Sequence, residues 1–344
     1  MPLHRQPLRR PVEMPLNTGV DPALLDGDSL SQDQMFRRNN FKIPYLPPTG
    51  FDVVVPGRAP RRVSMDLFQT FREVEVDLVL ECAGNGRALM TPVPDGTPWG
   101  LDAGSPISVV GVHLVDVLGV LPENIKSVVF TGADEGEVPI EGKQNYQFSI
   151  TRDLAQSKLP ILATHIGGEP LTLEHGAPVR LIVPGHYAMK SVKWLTRIEA
   201  LSYRFQGHFV RKYRYFRDDI EEDSTPVGPI SVRSVISWPL EEAVVSPGVI
   251  DVKGSAWTGN GEVTKVEVSA DDGETWEEAE LVRHSTGGRF APVHWAAALA
   301  LEPGTAVLVA RATDSSGATQ PIDSRWNSGG YANNVIQRVK VQIG

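Results

Sequence analysis

The sequence predicts an α+β domain followed by an all-β, immunoglobulin-like sandwich. Three observations carry this. The chain has 344 residues, which at about 150 residues per domain gives two units. Its N-terminal part mixes strand-like and helix-like segments without a regular βαβ beat, which favours α+β over a doubly wound sheet. Beyond an acidic, proline-ending connector, DDIEEDSTP at 218–226, come seven short alternating segments divided by turns, the pattern of a β-sandwich. The expected units are 1–227 and 228–344.

Residues 1–50 read as mostly irregular, because prolines at 2, 7, 11, 15, 22, 44, 47 and 48 preclude long helices. Residues 51–56 and 74–80 read as short buried strands, β-branched and bounded by turn residues. Ile107, Val110, Val112, Leu114, Val117 and Leu118 fall near helical spacing, with Gly119 as the stop. A strand is expected at 127–131, then a loop rich in Gly, Asp and Glu. Residues 179–184 and 191–201 are two further apolar runs. The seven C-terminal segments are 232–238, 249–257, 263–269, 275–282, 293–299, 306–313 and 335–343. Turns such as Asp271-Asp272-Gly273 and Ser315-Ser316-Gly317 separate them.

Composition narrows the function. Lys and Arg total 33 against 42 Asp and Glu, a net charge of −9. That balance argues against nucleic acid or a membrane surface as partner. No apolar run reaches the length of a membrane span. The N-terminus is basic, with Arg5, Arg9 and Arg10, but no apolar stretch follows, so it does not read as a secretory leader. The expected compartment is the cytoplasm, or the periplasm if the chain is a trimmed mature form. Cys82 is the only cysteine, which excludes an intrachain disulfide, an all-cysteine zinc site and a cluster held by this chain alone.

Three segments carry chemistry. In LVLECAGNGR, residues 78–87, an apolar strand runs into Cys82 among small residues, with Arg87 five positions on. A nearby cation and a curled, amide-rich backbone favour thiolate, the form that attacks or binds metal. A small buried hydrophobe at a strand end explains the same residue. A nucleophile would need a base such as His113, His165, His175 or His186. The segment 174–199 packs His175, Arg180, His186, Lys190, Lys193 and Arg197 among apolar residues. A local cation excess beside glycine turns suits an anion pocket, while a solvated strand face with separate ion pairs is the plainer reading. Phe36-Arg37-Arg38-Asn39-Asn40 sets arginines beside two amides, able to grip a planar or anionic group, or simply a turn with solvent-facing arginines.

Together these segments resemble the sulfite oxidase family of molybdenum enzymes. The resemblance rests on ECAGNGR at Cys82, on HGAPVRLIVPG followed by SVKWL, and on WNSGGYANN after Gln320-Pro321. It runs from about residue 33 to 343 and includes the family's molybdenum-cofactor oxidoreductase dimerisation domain, implying a homodimer. It implies a molybdenum–molybdopterin cofactor with Cys82 as the metal's thiolate ligand, soft enough to join the cofactor's dithiolene sulfurs. It implies cofactor contacts from Phe36, Arg38, Asn39, Asn40, Asp134, His175, Arg180, Ser191, Val192 and Lys193. Arg38, Arg87 and Tyr213 are the implied catalytic residues, with Tyr215 the alternative tyrosine in HFVRKYRYF. Two positions depart from the pattern. Asn40 stands where many members have histidine. Gly329 stands where sulfite-oxidising relatives usually carry an arginine, with Arg325 the nearest replacement.

The implied reaction is oxidation of sulfite, a small oxyanion, to sulfate by oxygen-atom transfer. No haem-attachment motif, cytochrome b5-like domain or dinucleotide fingerprint is visible, so electrons pass to an external acceptor such as a cytochrome. Two alternatives stand beside it: a family member reducing an oxyanion or sulfoxide such as nitrate, and a non-catalytic binding protein with a degenerate cofactor site.

Overall fold

Two apolar cores organise the chain. The computed structural model describes residues 16–45, 47–216, 224–282 and 288–344. Arg5, Arg9, Arg10 and most of the acidic connector lie outside the described residues. The first core is closed between two five-stranded sheets. One runs Glu169–Pro170, Ile161–Ile166, Gly104–His113, Glu73–Glu81 in spatial order, with Arg180–Ile182 also paired to Ile161–Ile166. The other runs Arg61–Ser64, Gly50–Val54, Leu195–Leu201, Ser127–Val138, Gly142–Thr151. Pairing is antiparallel except between Leu195–Leu201 and Gly50–Val54.

Two expectations are corrected here. The helix read from Ile107 onward is a strand as far as His113, and only Leu114–Leu118 is helical. Ile107, Val109, Val110 and Val112 are β-branched; all four pair with strand Glu73–Glu81, and the three valines also with Ile161–Ile166, and that sheet environment outweighs an approximate helical spacing. Gly119, at φ 65°, ends the turn as expected. The Gly/Asp/Glu-rich loop after residue 131 is instead a continuation of strand Ser127–Val138. It is interrupted by a register shift between Thr131 and Glu135. The α+β class holds with little helix: the four α-helices among the described residues are Met65–Phe68, Leu114–Leu118, Arg152–Gln156 and His208–Lys212.

The second core is a β-sandwich. One sheet runs Arg233–Trp238, Gly248–Trp257, Val293–Leu301, Glu280–Val282; the other runs Val244–Val245, Arg338–Ile343, Gly304–Asp314, Val263–Ser269, Glu277–Glu278. The segment read as 275–282 thus divides between the sheets, with Ala279 buried at the crossing. Trp295, Val252, Val266, Leu308 and Val341 fill the space between. The two cores meet directly. Val227, Ile230, Val235, Trp257 and Phe290 pack into the first core, and Val79 N donates to Phe290 O at 3.0 Å. No helix among the described residues is long and apolar enough to cross a membrane.

Candidate active site

Strand Glu73–Glu81 ends at the wall of an open cleft. The next residue, Cys82, lines it. The chain then turns tightly: Cys82 N donates to Ala103 O at 2.9 Å, Asn85 N to Cys82 O at 3.0 Å, and Gly86 sits at φ 83°, where a side chain is strained. The expectation that this setting by itself favours thiolate is corrected. Cys82 keeps some exposed surface on the cleft, but protein surrounds the sulfur, and burial lifts the thiol above its ordinary value despite Arg38 and Arg87. A metal bound there would deprotonate it.

Arg38, Asn40 and Tyr213 line the cleft as a connected set. Arg38 Nη2 donates to Asn40 Oδ1 at 3.2 Å, and Asn40 Nδ2 to the Tyr213 hydroxyl at 3.4 Å. Burial raises the Tyr213 phenol, so it keeps its proton at neutral pH. Tyr215 is not among the lining residues. Asn39 accepts from Lys193 Nζ, which also donates to Glu174 O at 3.0 Å. The register shift after Thr131 carries Asp134 into the cleft, with Ala133 N held by Trp194 O at 2.9 Å. Bulges of this kind re-aim side chains beside functional sites. Burial raises Asp134 to about 7, against the pull of Lys193.

The cation-rich segment divides. His175, Arg180 and Lys193 face the cleft with Ser191. Lys190 instead donates to Val227 O at 3.0 Å, and Arg197 pairs with Glu199. His186 is not a lining residue. Burial, then Arg180 and Lys193, pulls His175 down to about 3, so its imidazole is neutral at pH 7. Its Nε2 lies 2.8 Å from Gln32 O; a carbonyl only accepts, so Nε2 carries the proton. Arg180 Nη1 and Nη2 donate to His175 O and Ser191 O at 3.0 and 3.3 Å. Burial pulls its guanidinium to about 10, still fully charged at neutrality. Arg180 Nε is buried with no hydrogen-bond partner. An unmet donor on a buried cation, in the wall of a cleft, calls for an anion.

Two expected residues lie differently. Val192 is buried outside the cleft wall, and its carbonyl accepts from Leu181 N at 2.8 Å. Its side chain, 1% exposed, packs in the core behind Ser191 and Lys193. Arg87 is also outside the wall. Its Nη1 donates to Thr97 O at 2.7 Å, and Nε and Nη2 to Gly329 O at 3.2 and 2.9 Å. Glycines sheathe it: a Cβ on Gly84, Gly96 or Gly330 would come within 2.6, 2.9 and 2.7 Å of its side chain. Its charge still reaches Cys82. The guanidinium also lies over the Tyr331 ring at 5.4 Å, and that ring is 5.3 Å from Tyr213. Tyr331 occupies the space a side chain at 329 would enter, since a Cβ there would meet its Cε2 at 2.5 Å. Arg325 is exposed and outside the cleft, so it does not take the place of the missing arginine.

Sequence reasoning missed Tyr146 and Trp194, and it gave Arg37 no contact of its own within the Phe36–Asn40 segment; all three line the cleft. Trp194 sits inside the SVKWL motif and lies 4.4 Å from Lys193 Nζ. Arg37 is tied to Glu174 at 2.5 Å. Tyr146, whose hydroxyl donates to Met189 O at 2.7 Å, left no signal beyond strand alternation.

The fold and cleft define a molybdopterin-binding oxidoreductase. The family model for the oxidoreductase molybdopterin binding domain matches residues 40–209, and that for the Mo-co oxidoreductase dimerisation domain matches 225–344. The mitochondrial sulfite oxidase of Mus musculus is 31% identical across 99% of this chain and 67% of its own length. The chain belongs to the sulfite oxidase family. The nitrate reductase [NAD(P)H] of Hordeum vulgare is 30% identical across 89% of this chain and 38% of its own length. The sulfane dehydrogenase SoxCD from Paracoccus pantotrophus shares the fold, at TM-score 0.80 and 24% identity over 93% of this chain and 83% of that one. The cofactor is molybdenum–molybdopterin, and the residues present fit it. Among the described residues no group of three or more His, Cys, Asp or Glu side chains could hold a metal alone. A lone thiol beside an anion-seeking Arg180 instead suits a metal that arrives with its own sulfur ligands and a phosphate.

Proposed function

We propose that this protein oxidises sulfite to sulfate and passes the electrons to an external acceptor such as a cytochrome. The observation that carries this reading is a cation-lined cleft in which Arg38 and the Tyr213 hydroxyl, joined through Asn40, share the wall with Cys82, while the Arg87 charge reaches that sulfur from behind the wall. We assign Cys82 to the metal. Phe36, Arg38, Asn39, Asn40, Asp134, His175, Arg180, Ser191 and Lys193 would hold the pterin and its phosphate. When bound, the cofactor supplies a two-electron redox couple and oxygen-atom transfer. The chain's own groups bind and orient the substrate. Arg38, fixed by Asn40, offers a charged donor to a small oxyanion. The Tyr213 oxygen accepts from Asn40, so its own proton is available to a substrate oxygen. Arg87, anchored on backbone carbonyls, adds a fixed field without moving.

Steady-state assays of molybdenum-loaded protein with an artificial electron acceptor test the reading. Sulfite-dependent reduction is expected, with affinity falling as salt rises. Its absence rejects sulfite and turns the test to nitrate reduction, which the arginine-free position 329 favours. Gly329→Arg alone should not improve sulfite binding, because its Cβ collides with the Tyr331 ring, and its melting temperature should fall. Gly329→Arg with Tyr331→Ala opens the space. One charge-assisted contact is worth about 1.5–3 kcal/mol, so the double variant should lower the sulfite KM by roughly tenfold or more.

We further propose that 1–227 and 228–344 are the two units and that the second mediates a homodimer through a two-fold interface. Light scattering of the full chain at micromolar concentration should give twice the chain mass. A monomer there would reject the assembly.

A further inference from the structure

The residue before Cys82 is a buried acid whose partners come from the other end of the chain. Glu81 has no exposed surface. Its Oε1 accepts from Arg233 Nε at 3.0 Å and from Asn85 Nδ2 at 3.0 Å; its Oε2 accepts from Trp257 Nε1 at 2.7 Å. Arg233 opens strand Arg233–Trp238 and Trp257 closes strand Gly248–Trp257, and the two face each other in register. Both belong to the sandwich. The same part of the chain grips the far side of the turn. Asn333 Nδ2 donates to Gly86 O at 2.7 Å, and Ala332 N to Ala83 O at 2.8 Å. Arg233 Nη2 in turn donates to Asn333 O. Residues 81, 83 and 86 are therefore each tied to residues beyond 230, and Cys82 lies between those ties.

We propose that the Glu81–Arg233–Trp257 cluster is a positioning device for the Cys82 sulfur, so that the sandwich forms part of the metal centre as well as an assembly module. The inference rests on the reading of Cys82 as the molybdenum ligand. The side-chain carboxylate takes hydrogen bonds at both oxygens, which fixes the end of its strand in two directions. A buried carboxylate beside a metal thiolate would push charge toward it, and Arg233 cancels that charge at the distance of an ion pair. Arg233, 1% exposed, touches neither substrate nor metal and acts only through the turn.

The test is Glu81→Gln with Arg233→Met in the full, cofactor-loaded chain, which removes both charges together and keeps an acceptor for Trp257. The control is Glu267→Gln with Arg311→Met, a half-buried pair 2.9 Å apart on one sheet of the sandwich. The readouts are paramagnetic resonance of the reduced metal, the metal–sulfur distances from X-ray absorption, and the rate of cofactor loss to a chelator. The expected result is a shifted resonance spectrum and cofactor loss at least tenfold faster in the Glu81/Arg233 variant, with neither change in the control. Wild-type spectra and a loss rate within twofold of wild type would overturn the proposal. Trp257→Phe, which removes a single donor, gives the same readouts if the double variant does not fold, with a smaller spectral shift expected and an unchanged spectrum counting against the proposal. Absorption data on the wild type separate the two layers. Absence of a protein sulfur on the metal refutes the Cys82 assignment, whereas a protein sulfur that is present and unmoved in the variants refutes the positioning role alone.

Discussion

Cys82→Ser should reduce sulfite turnover to background while leaving the chain folded and much of the pterin still bound. Serine is nearly isosteric, so the turn between Ala103 O and Asn85 N can form as before. Its oxygen is a harder ligand than sulfur and a poor match for a metal already held by thiolates. The hydroxyl also resists the deprotonation that coordination requires. Burial already lifts the Cys82 thiol, and an alkoxide in the same place would be costlier still. The cleft residues proposed for the pterin, Arg180, Lys193 and Asp134 among them, come from other elements, and they are untouched. Pterin fluorescence after denaturation should therefore stay near wild type while metal content and turnover collapse. A Cys82→Ser protein that turns over sulfite at the wild-type rate would remove Cys82 from the metal.

Arg180→Leu should produce the opposite division: loss of the whole cofactor from a chain that is otherwise nearly as stable. Arg180 is a buried cation in the cleft wall with an unmet donor. An anion placed there gains one or two charge-assisted hydrogen bonds of about 1.5–3 kcal/mol each. Their loss weakens retention by roughly 10- to 10⁴-fold. In the cofactor-free chain Arg180 sits near Lys193, whose charged form it disfavours, while His175 is already neutral at pH 7. Removing it relieves that repulsion, which offsets the two carbonyl contacts it gives up. The melting temperature of cofactor-free Arg180→Leu should thus lie close to that of the cofactor-free parent. The rise on cofactor binding should largely disappear. Molybdenum and pterin content of the purified variants, with melting curves in both states, checks this. Retention at the parental level would show that the anion is held elsewhere.

The cleft was more legible in the sequence than its scaffold. Cys82, Arg38, Asn39, Asn40, His175, Arg180, Ser191 and Lys193 sit in short motifs whose residue types state their chemistry, and those residues all line one cleft. Charge alone did not say which of the cations in 174–199 turn inward. Lys190 and Arg197 differ from Lys193 only in register, and register is decided by strands far away in sequence. The strand through Ile107 was misread because its two partners, around residues 77 and 163, are invisible to a local window. Asp134 was singled out, but the bulge that aims it was not, since a bulge is a mismatch between two strands rather than a property of one. Nothing in the sequence set Glu81 or Arg233 apart. Only the fold, by laying Trp257 opposite Arg233, shows that both are interior.

The sheath around Arg87 constrains how this sequence can drift. Gly84, Gly96 and Gly330 come from three separate stretches, yet each leaves room for the same side chain. An alanine at any one of them is a collision while Arg87 is present, and at Gly84 the three nearest atoms all belong to that side chain. At Gly96 and Gly330 the backbone, at φ 117° and 57°, adds a second objection that outlasts the arginine. The order of mutations therefore matters. A lineage that loses Arg87 first can refill position 84 and has little reason to reverse, whereas one that keeps Arg87 must hold all four positions together. The four form one unit of inheritance spread over nearly 250 residues of chain.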